Sequence, residues 1–533
     1  MILARRQRFQ ATALAVLAAG LSWLAVPASH SPTPMTSVIV QGPRAVQHTV
    51  TQLGGRITHD LPLIHGFSAR VPANDVPLIS RLPGVQGVMP DLPTHVQSTP
   101  GTYNNVPSVY KAATNGDKLA SAGARGQGVT VALIDTGVDS MPDIANAIVP
   151  VTGLLGLTNQ PCVNFTSEPT CDDSYGHGTF IAGLIAGNGS ASGGKFVGMA
   201  PAAKIVSLKI AGATGASDVS TIIAAIQWVT THTAQYGIRV LNLSLGTDST
   251  QSYTIDPLDY AVEQAWFDGI VVNVAASNRG PAAGTISKPA DDPFVVTVGA
   301  VDDKGTAGLG NDVLPNFTGR GPTAADGLAK PDVVAPGAHI VSLAAPGSAL
   351  TTQFPSTMTS PYRRGSGTSM STGIVSGLVA QMLSANPAMT PDRVKFALMS
   401  TARNTASNDP MAIGAGMVDG SAALSAPPGV ANVGVSPSMG TGSIAASRGT
   451  VGVVLDDTNS TILDASSGDL TADLNQLVTS GGSWYGGSWY GGSWYGGSWY
   501  GGSWYGGSWY GGSWYGTPTT EDYGGSWYGG SWY

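Results

Sequence analysis

Three short segments hold residues whose types and neighbours suit nucleophilic hydrolysis. In Ile134-Asp135-Thr136-Gly137 a carboxylate ends the apolar run Val129 to Ile134 and enters a tight turn. An Asp there is shielded from water yet can accept hydrogen bonds, which suits a group that orients an imidazole. Taken alone it reads first as a turn-forming Asp. In Tyr175-Gly176-His177-Gly178-Thr179-Phe180 a histidine opens a helical pattern between two glycines. Those glycines let the backbone approach a partner and leave the ring accessible, and a neutral His beside a carboxylate can take a hydroxyl proton near neutral pH. In Arg364-Gly365-Ser366-Gly367-Thr368-Ser369-Met370-Ser371 a Gly-rich turn delivers Ser369 to the start of an apolar helix. Backbone N–H groups converge there on developing negative charge. Helix capping accounts for Ser369 by itself, but not for the three segments together.

The elements that must position these residues alternate between strand and helix from Gly128 to about Ala426. Strand candidates are Val129 to Ile134, Ile205 to Leu208, Val240 to Leu243, Ile270 to Ala275 and Phe294 to Val298. Helical spacing recurs in Ile181, Leu184 and Ile185, in Ile222, Ile223, Ile226 and Val229, and in Met370, Ile374, Val375, Leu378, Val379 and Met382. Such alternation predicts an α/β fold, a parallel sheet covered by helices on both faces. Functional groups then sit at the carboxyl ends of strands and in the adjoining loops.

The DTG, GHGT and GTSM segments, in the order Asp, His, Ser, resemble the subtilisin-like family of serine peptidases. The resemblance covers about Gly126 to Leu424. It implies a three-layer α/β/α sandwich with a mostly parallel seven-stranded sheet, and cleavage of peptide bonds through an acyl-enzyme. Carried over by position, Asp135 orients the imidazole, His177 is general base and then acid, and Ser369 is the nucleophile. Asn278, in Val274-Ala275-Ala276-Ser277-Asn278-Arg279-Gly280, matches the family's oxyanion donor, with Ser277 where the family usually has Gly. Ser244, Leu245 and Gly246 match the strand on which the family lays an extended peptide. Arg279 falls at the rim of the primary pocket, where it implies tolerance of acidic or polar side chains.

The resemblance requires no cofactor for catalysis. Asp143 resembles a calcium ligand of relatives, although its partners near Asn188 are not recognisable, so a structural calcium ion stays open. Thr372-Gly373 replaces the family's Pro four residues after the nucleophile, and Gly373 is expected to loosen the first helical turn. Aspartic peptidases need a second D-[ST]-G segment, which this chain lacks, and sedolisins carry Glu where His177 stands. A catalytically inert surface-binding protein is the remaining alternative, and the full trio with Asn278 argues against it.

The flanking segments complete the organisation. Arg5, Arg6 and Arg8 precede the apolar stretch Ala11 to Val26, and small residues follow, which reads as a signal peptide ending at Ala28. The run is short for a bilayer and is broken by Pro27. Residues 36–98 show strand candidates at Val38 to Val40, Phe67 to Val71 and Val85 to Met89, with a short helix through Leu78 to Leu82. With Gly66-Phe67-Ser68-Ala69, this small α+β unit resembles the family's inhibitory propeptides, cut away near Thr99 to Pro107. Cys162 and Cys171 are the only cysteines, and in an exported protein they can close a small loop as a disulfide. Free thiols or half of a metal site are the alternatives, without a His or Cys partner at ligand spacing to support the metal.

The sequence thus divides into a signal peptide (1–28), a propeptide (29–102), a peptidase domain (103–426), a linker or small β module with a hairpin at Val451 to Leu463 (427–480), and a tail (481–533). The tail repeats Gly-Gly-Ser-Trp-Tyr and is too glycine-rich to bury a core. Its Trp and Tyr rings suit polysaccharide or cell-wall contact through avidity, or simple self-association. Hydrophobic residues at 42% suit a globular chain, and a net charge of −8 without a basic cluster excludes nucleic acid as a partner. The expected partners are protein or peptide substrates and the chain's own propeptide, and the expected location is extracellular.

Overall fold

The computed structural model describes residues 34–91, 93–95, 107–353 and 360–449. The expected signal peptide, most of the expected cleavage region, the expected hairpin at 451–463 and the repeat tail lie outside the described residues.

Strands β1 (Met35–Gln41), β2 (Arg56–Leu61), β3 (Gly66–Pro72) and β4 (Gly87–Pro90) form an antiparallel sheet in the order β2-β3-β1-β4. Helices α1 (Val46–Gln52) and α2 (Val76–Ile79) accompany it. Alternate side chains of a strand face opposite ways. Val38, Val40, Phe67, Ala69, Val71 and Val88 accordingly pack with Val46, Val50, Val76 and Ile79 in a small core. Ile39 and Met89, one residue out of step, join the main core instead. The run Val38-Ile39-Val40 is apolar without interruption because this sheet is covered on both faces.

The main sheet has seven strands: β6 (Thr130–Asp135), β7 (Val163–Asn164), β8 (Lys204–Lys209), β10 (Ile238–Leu243), β11 (Val271–Ala275), β12 (Val296–Val301) and β13 (Val333–Pro336). Their order is β13-β12-β11-β10-β6-β8-β7, and every neighbouring pair is parallel. Helices α3 (His177–Ala186) and α6 (Thr368–Ala385) pack together, as do α4 (Val219–Tyr236) and α5 (Pro257–Phe267). This is the three-layer α/β architecture expected from the alternation. A strand pair, β14 (Ile340–Leu343) with β15 (Tyr362–Gly365), leads into α6, and α7 (Pro391–Ser400) follows it.

Local chemistry sets several boundaries. Asp256 caps α5 by accepting the N–H groups of Leu258 and Asp259, with Pro257 in the first turn. Gly237 ends α4 at φ 64°, a left-handed value glycine reaches without strain. Gly373 lies within α6, which runs from Thr368 to Ala385, and a Cβ there would stand 3.1 Å from Ile181 Cγ2, a tight contact with α3. Cys162 and Cys171 are joined as a disulfide.

The N-terminal unit continues into β5 (Pro93–His95), which pairs antiparallel with β9 (Ala216–Asp218) at the entry to α4. The described part of the expected linker, 427–449, contains no strand. It passes over α5 and carries a short helix, α8 (Ile444–Ser447). No helix among the described residues is long and apolar enough to cross a membrane.

Candidate active site

The parallel register brings three strand ends side by side. Leu243 on β10 pairs with Ile134 on β6 and with Val274 on β11. One residue further along lie Asp135, Ser244 and Ala275, and the β11 loop continues to Asn278. Three of the expected site segments therefore share the carboxyl edge of the sheet, as the topology requires.

His177 begins α3, fully buried, and its Nδ1 lies 2.7 Å from Asp135 Oδ1. The same oxygen accepts the Thr136 N–H at 2.8 Å, while Asp135 Oδ2 is buried without a hydrogen-bond partner. The flanking glycines are sterically required. A Cβ on Gly178 would stand 2.1 Å from the Gly137 carbonyl oxygen, and Gly176 holds φ 108°. The turn after Asp135 and the start of α3 thus touch backbone to backbone.

Ser369 is fully buried near the start of α6, and its hydroxyl lies 3.4 Å from the Ser244 carbonyl oxygen. Buried amides fix α6 against the sheet. Asn242 Nδ2 donates to Ser244 Oγ at 2.9 Å, Ser376 Oγ donates to Asn242 Oδ1 at 2.9 Å, and Asn273 Nδ2 donates to Ser376 Oγ at 3.1 Å. Buried bonds of this kind hold one geometry, because breaking any of them strands a further polar group away from water, as Asn273 Oδ1 already is.

Asn278 joins the turn before Ser369 directly. Its Oδ1 accepts the Thr368 N–H at 2.8 Å and the Thr368 hydroxyl at 3.0 Å. Its Nδ2 is buried with no hydrogen-bond partner. An unmet buried amide donor costs ~1–3 kcal/mol, and such a cost persists where a ligand atom completes the bond. The preceding Ser277 adopts φ 126°, where the family resemblance expects Gly. Its hydroxyl donates to the Thr285 carbonyl, and its own carbonyl accepts the Gly319 N–H at 2.9 Å. Those bonds hold a conformation that costs a non-glycine residue on the order of 1–3 kcal/mol.

Other expected substrate contacts surround this centre. Ser244, Leu245 and Gly246 run on from β10, and Arg279 Nη2 lies 3.5 Å from the carbonyl of the next residue, Thr247. Thr247 and Lys288 exchange both backbone hydrogen bonds, at 2.8 and 2.9 Å.

Several positioning residues escaped the sequence reading. Asp173 accepts the Thr136 hydroxyl (2.6 Å) and the N–H groups of Gly176 (2.7 Å) and Thr179 (2.7 Å), so one carboxylate ties the Asp135 turn to the start of α3. Burial pushes its carboxyl above the usual range. Lys209 is buried and donates to the Thr136 carbonyl at 3.1 Å. Lys288, also buried, lies 2.5 Å from Asp259 and 2.6 Å from Asp291. Burial pulls its ammonium down, but Asp256, Asp259 and Asp291 outweigh that and hold it well above its ordinary value. Asp173 alone left a signal, as an acidic residue four positions before His177.

Asp143 does not fit the calcium site left open above. Its Oδ1 accepts Ser190 Oγ at 2.9 Å and the Ala191 N–H at 2.7 Å, and its Oδ2 accepts the Tyr362 hydroxyl at 2.6 Å. Donor hydrogens occupy the directions a cation would need. Among the described residues no cluster of three or more His, Cys, Asp or Glu is arranged to hold a metal.

Comparison with known proteins places the fold and the family. The chain is 39% identical over 300 residues to serine protease AprX of Bacillus subtilis, covering 55% of this chain and 65% of that protein. It is 31% identical over 369 residues to the alkaline protease of Shouchella clausii (69% and 81%), and 33% identical over 301 residues to subtilisin Savinase of Lederbergia lenta (56% and 92%). Among solved structures it shares the fold of fervidolysin from Fervidobacterium pennivorans, a keratinolytic enzyme related to subtilisin, with TM-score 0.57 and 24% identity over 74% of this chain and 61% of that one. Residues 126–416, more than half the chain, match the Subtilase family. The chain belongs to the subtilase family of serine endopeptidases.

Proposed function

We propose that the protein is an exported serine endopeptidase that hydrolyses peptide bonds in proteins through an acyl-enzyme on Ser369. The observation that carries this reading is Asn278, whose buried amide nitrogen has no partner while its oxygen is bonded to the residue before Ser369. An extended substrate lies along Ser244, Leu245 and Gly246. His177 Nε2 takes the Ser369 hydroxyl proton as Oγ attacks the carbonyl carbon. The long contact from Ser369 to the Ser244 carbonyl is weak enough to give up for this step. Negative charge on the carbonyl oxygen is met by Asn278 Nδ2 and the Ser369 N–H, and Asp135 stabilises the imidazolium. His177 returns the proton to the leaving amine, and water then repeats the sequence to free Ser369. Arg279 makes the pocket rim tolerant of acidic or polar side chains.

The N-terminal unit is the propeptide of this enzyme. Its support is the apolar outer face that Ile39 and Met89 present to the peptidase core, together with the β5–β9 pairing. Export follows from the signal-like start of the sequence, and the aromatic tail contributes cell-wall or polysaccharide contact. A serine-directed fluorophosphonate probe tests the central claim: the wild-type protein is labelled and Ser369→Ala is not. Equal labelling of both would remove Ser369 as nucleophile.

A further inference from the structure

The chain continues past the matched family region, and residues 436–449 are held by the peptidase unit itself. Both carboxylate oxygens of Glu263 on α5 accept the Ser438 N–H, at 2.9 and 2.7 Å. Gln251 and Ser443 form a reciprocal pair: the Gln251 amide donates to the Ser443 carbonyl at 2.9 Å, and its oxygen accepts the Ser443 N–H at 2.8 Å. The Ser447 hydroxyl donates to Asp256 Oδ1 at 2.8 Å, and the Thr247 hydroxyl donates to the Ser447 carbonyl at 2.6 Å. None of these anchors involves the N-terminal unit.

The anchored segment then presents one apolar side chain to that unit. Ile444 is 1% exposed and joins the cluster that contains Ile39, Leu61, Ile64 and Met89. Its N–H points at Met89 Sδ, 3.2 Å away, and α8 lies between β4 and α5. We propose that residues 436–449 are a retaining surface for the N-terminal unit, with Ile444 seated against Met89 so that this C-terminal strap slows release of the propeptide. This deepens the propeptide reading and rests on it. Once the unit departs, Ile444 has no cover from β4 and a polar residue is tolerated there. While the unit is docked, a charge at that position is buried without a partner. The strap also ties retention to the segment that leads into the aromatic tail.

The test uses the full chain with Ile444→Asp, the milder Ile444→Ala, and Val433→Asp as a control at an exposed position of the same extension. The lag before activity appears, and the fraction of cleaved N-terminal fragment that co-elutes with the enzyme, are followed together. Ile444→Asp is expected to shorten the lag at least tenfold, with Ile444→Ala intermediate and Val433→Asp like wild type. The kcat and KM of the matured enzyme stay within twofold. In the uncleaved Ser369→Ala background, Ile444→Asp is also expected to raise hydrogen exchange at residues 87–90. Wild-type lag, retention and exchange in both Ile444 variants would overturn the proposal. A wild-type chain that is active without losing its N-terminal unit would sink the propeptide reading instead, and the exchange measurement would still judge the Ile444–Met89 contact.

Discussion

The side-chain oxygen of Asn278 accepts the backbone N–H of Thr368 at 2.8 Å, so the amide that faces the opposite way is fixed beside the turn that leads into Ser369 before any substrate arrives. A donor that is already oriented stabilises developing charge without reorganising in the transition state. Replacing Asn278 with Leu is expected to lower kcat by roughly 100- to 1000-fold and leave KM nearly unchanged, because the bond forms fully only in the transition state. Steady-state kinetics on a peptide substrate check this, and a change confined to KM would contradict it.

Asp173 satisfies three donors from two segments, and Asp173→Ala leaves them buried and unmet. The expected cost is about 2–4 kcal/mol in stability, with a fall in kcat because the Asp135 turn and His177 lose their common tie. Asp173→Asn keeps acceptor capacity at one oxygen and is expected to recover part of both. Denaturant unfolding measured beside kcat separates the two effects.

Retention of the N-terminal unit is expected to weaken as pH rises. The Asp91 carboxylate, at the end of that unit, accepts the Ser220 hydroxyl, and its Oδ1 is buried without a partner. Asp218, the residue before α4, lies beside it, and His95 stands nearby in the register, opposite Ala216. Among the described residues no Lys, Arg or His forms an ion pair with either carboxyl. Burial pushes Asp91 up to about 6, and burial with the neighbouring Asp91 charge pushes Asp218 well above its ordinary value. Released into water, both carboxyls return towards about 3.9. The docked state therefore holds protons that the released state gives up. Docking is favoured in full below about pH 4 and declines as pH climbs through 6 and beyond. Release at pH 8 should outpace release at pH 5 by roughly tenfold or more, and Asp218→Asn should flatten the profile. A profile steeper in that variant would refute the carboxyl pair.

Tyr362 takes the place at Asp143 that a metal would occupy, and burial, with the Asp143 carboxylate next, pushes its hydroxyl up to about 12. Tyr362→Phe should destabilise the enzyme by about 1.5–3 kcal/mol, the usual worth of a hydrogen bond to a charged acceptor. A chelator should leave the wild-type Tm unchanged. A drop of several degrees on chelation would show that a bound cation contributes after all.

The candidate groups stand out in the linear chain because each stands in a segment that states its own requirement. Asp135 ends an apolar strand, glycines flank His177, and a glycine turn leads Ser369 into a helix. The α/β alternation was legible for the same reason, since strand and helix periods are local properties of the side chains. The uninterrupted run at Val38 to Val40 also carried the docking face of the N-terminal unit, although only the packing of Ile39 and Met89 against the main core reveals which face is which.

What the order of residues determined by itself was the chemistry available and the periodicity that carries it to one edge of a sheet. What only the tertiary structure decided was which partners meet across long separations. Asp173 reaches Thr136 across 37 residues, Asn278 reaches Thr368 across 90, and Tyr362 reaches Asp143 across 219. The physical reason is that a hydrogen bond depends on distances of a few ångströms in space and carries no period along the chain. An Asp that satisfies two N–H groups, one that faces a tyrosine and one that pairs with another Asp are spelled alike until the chain folds.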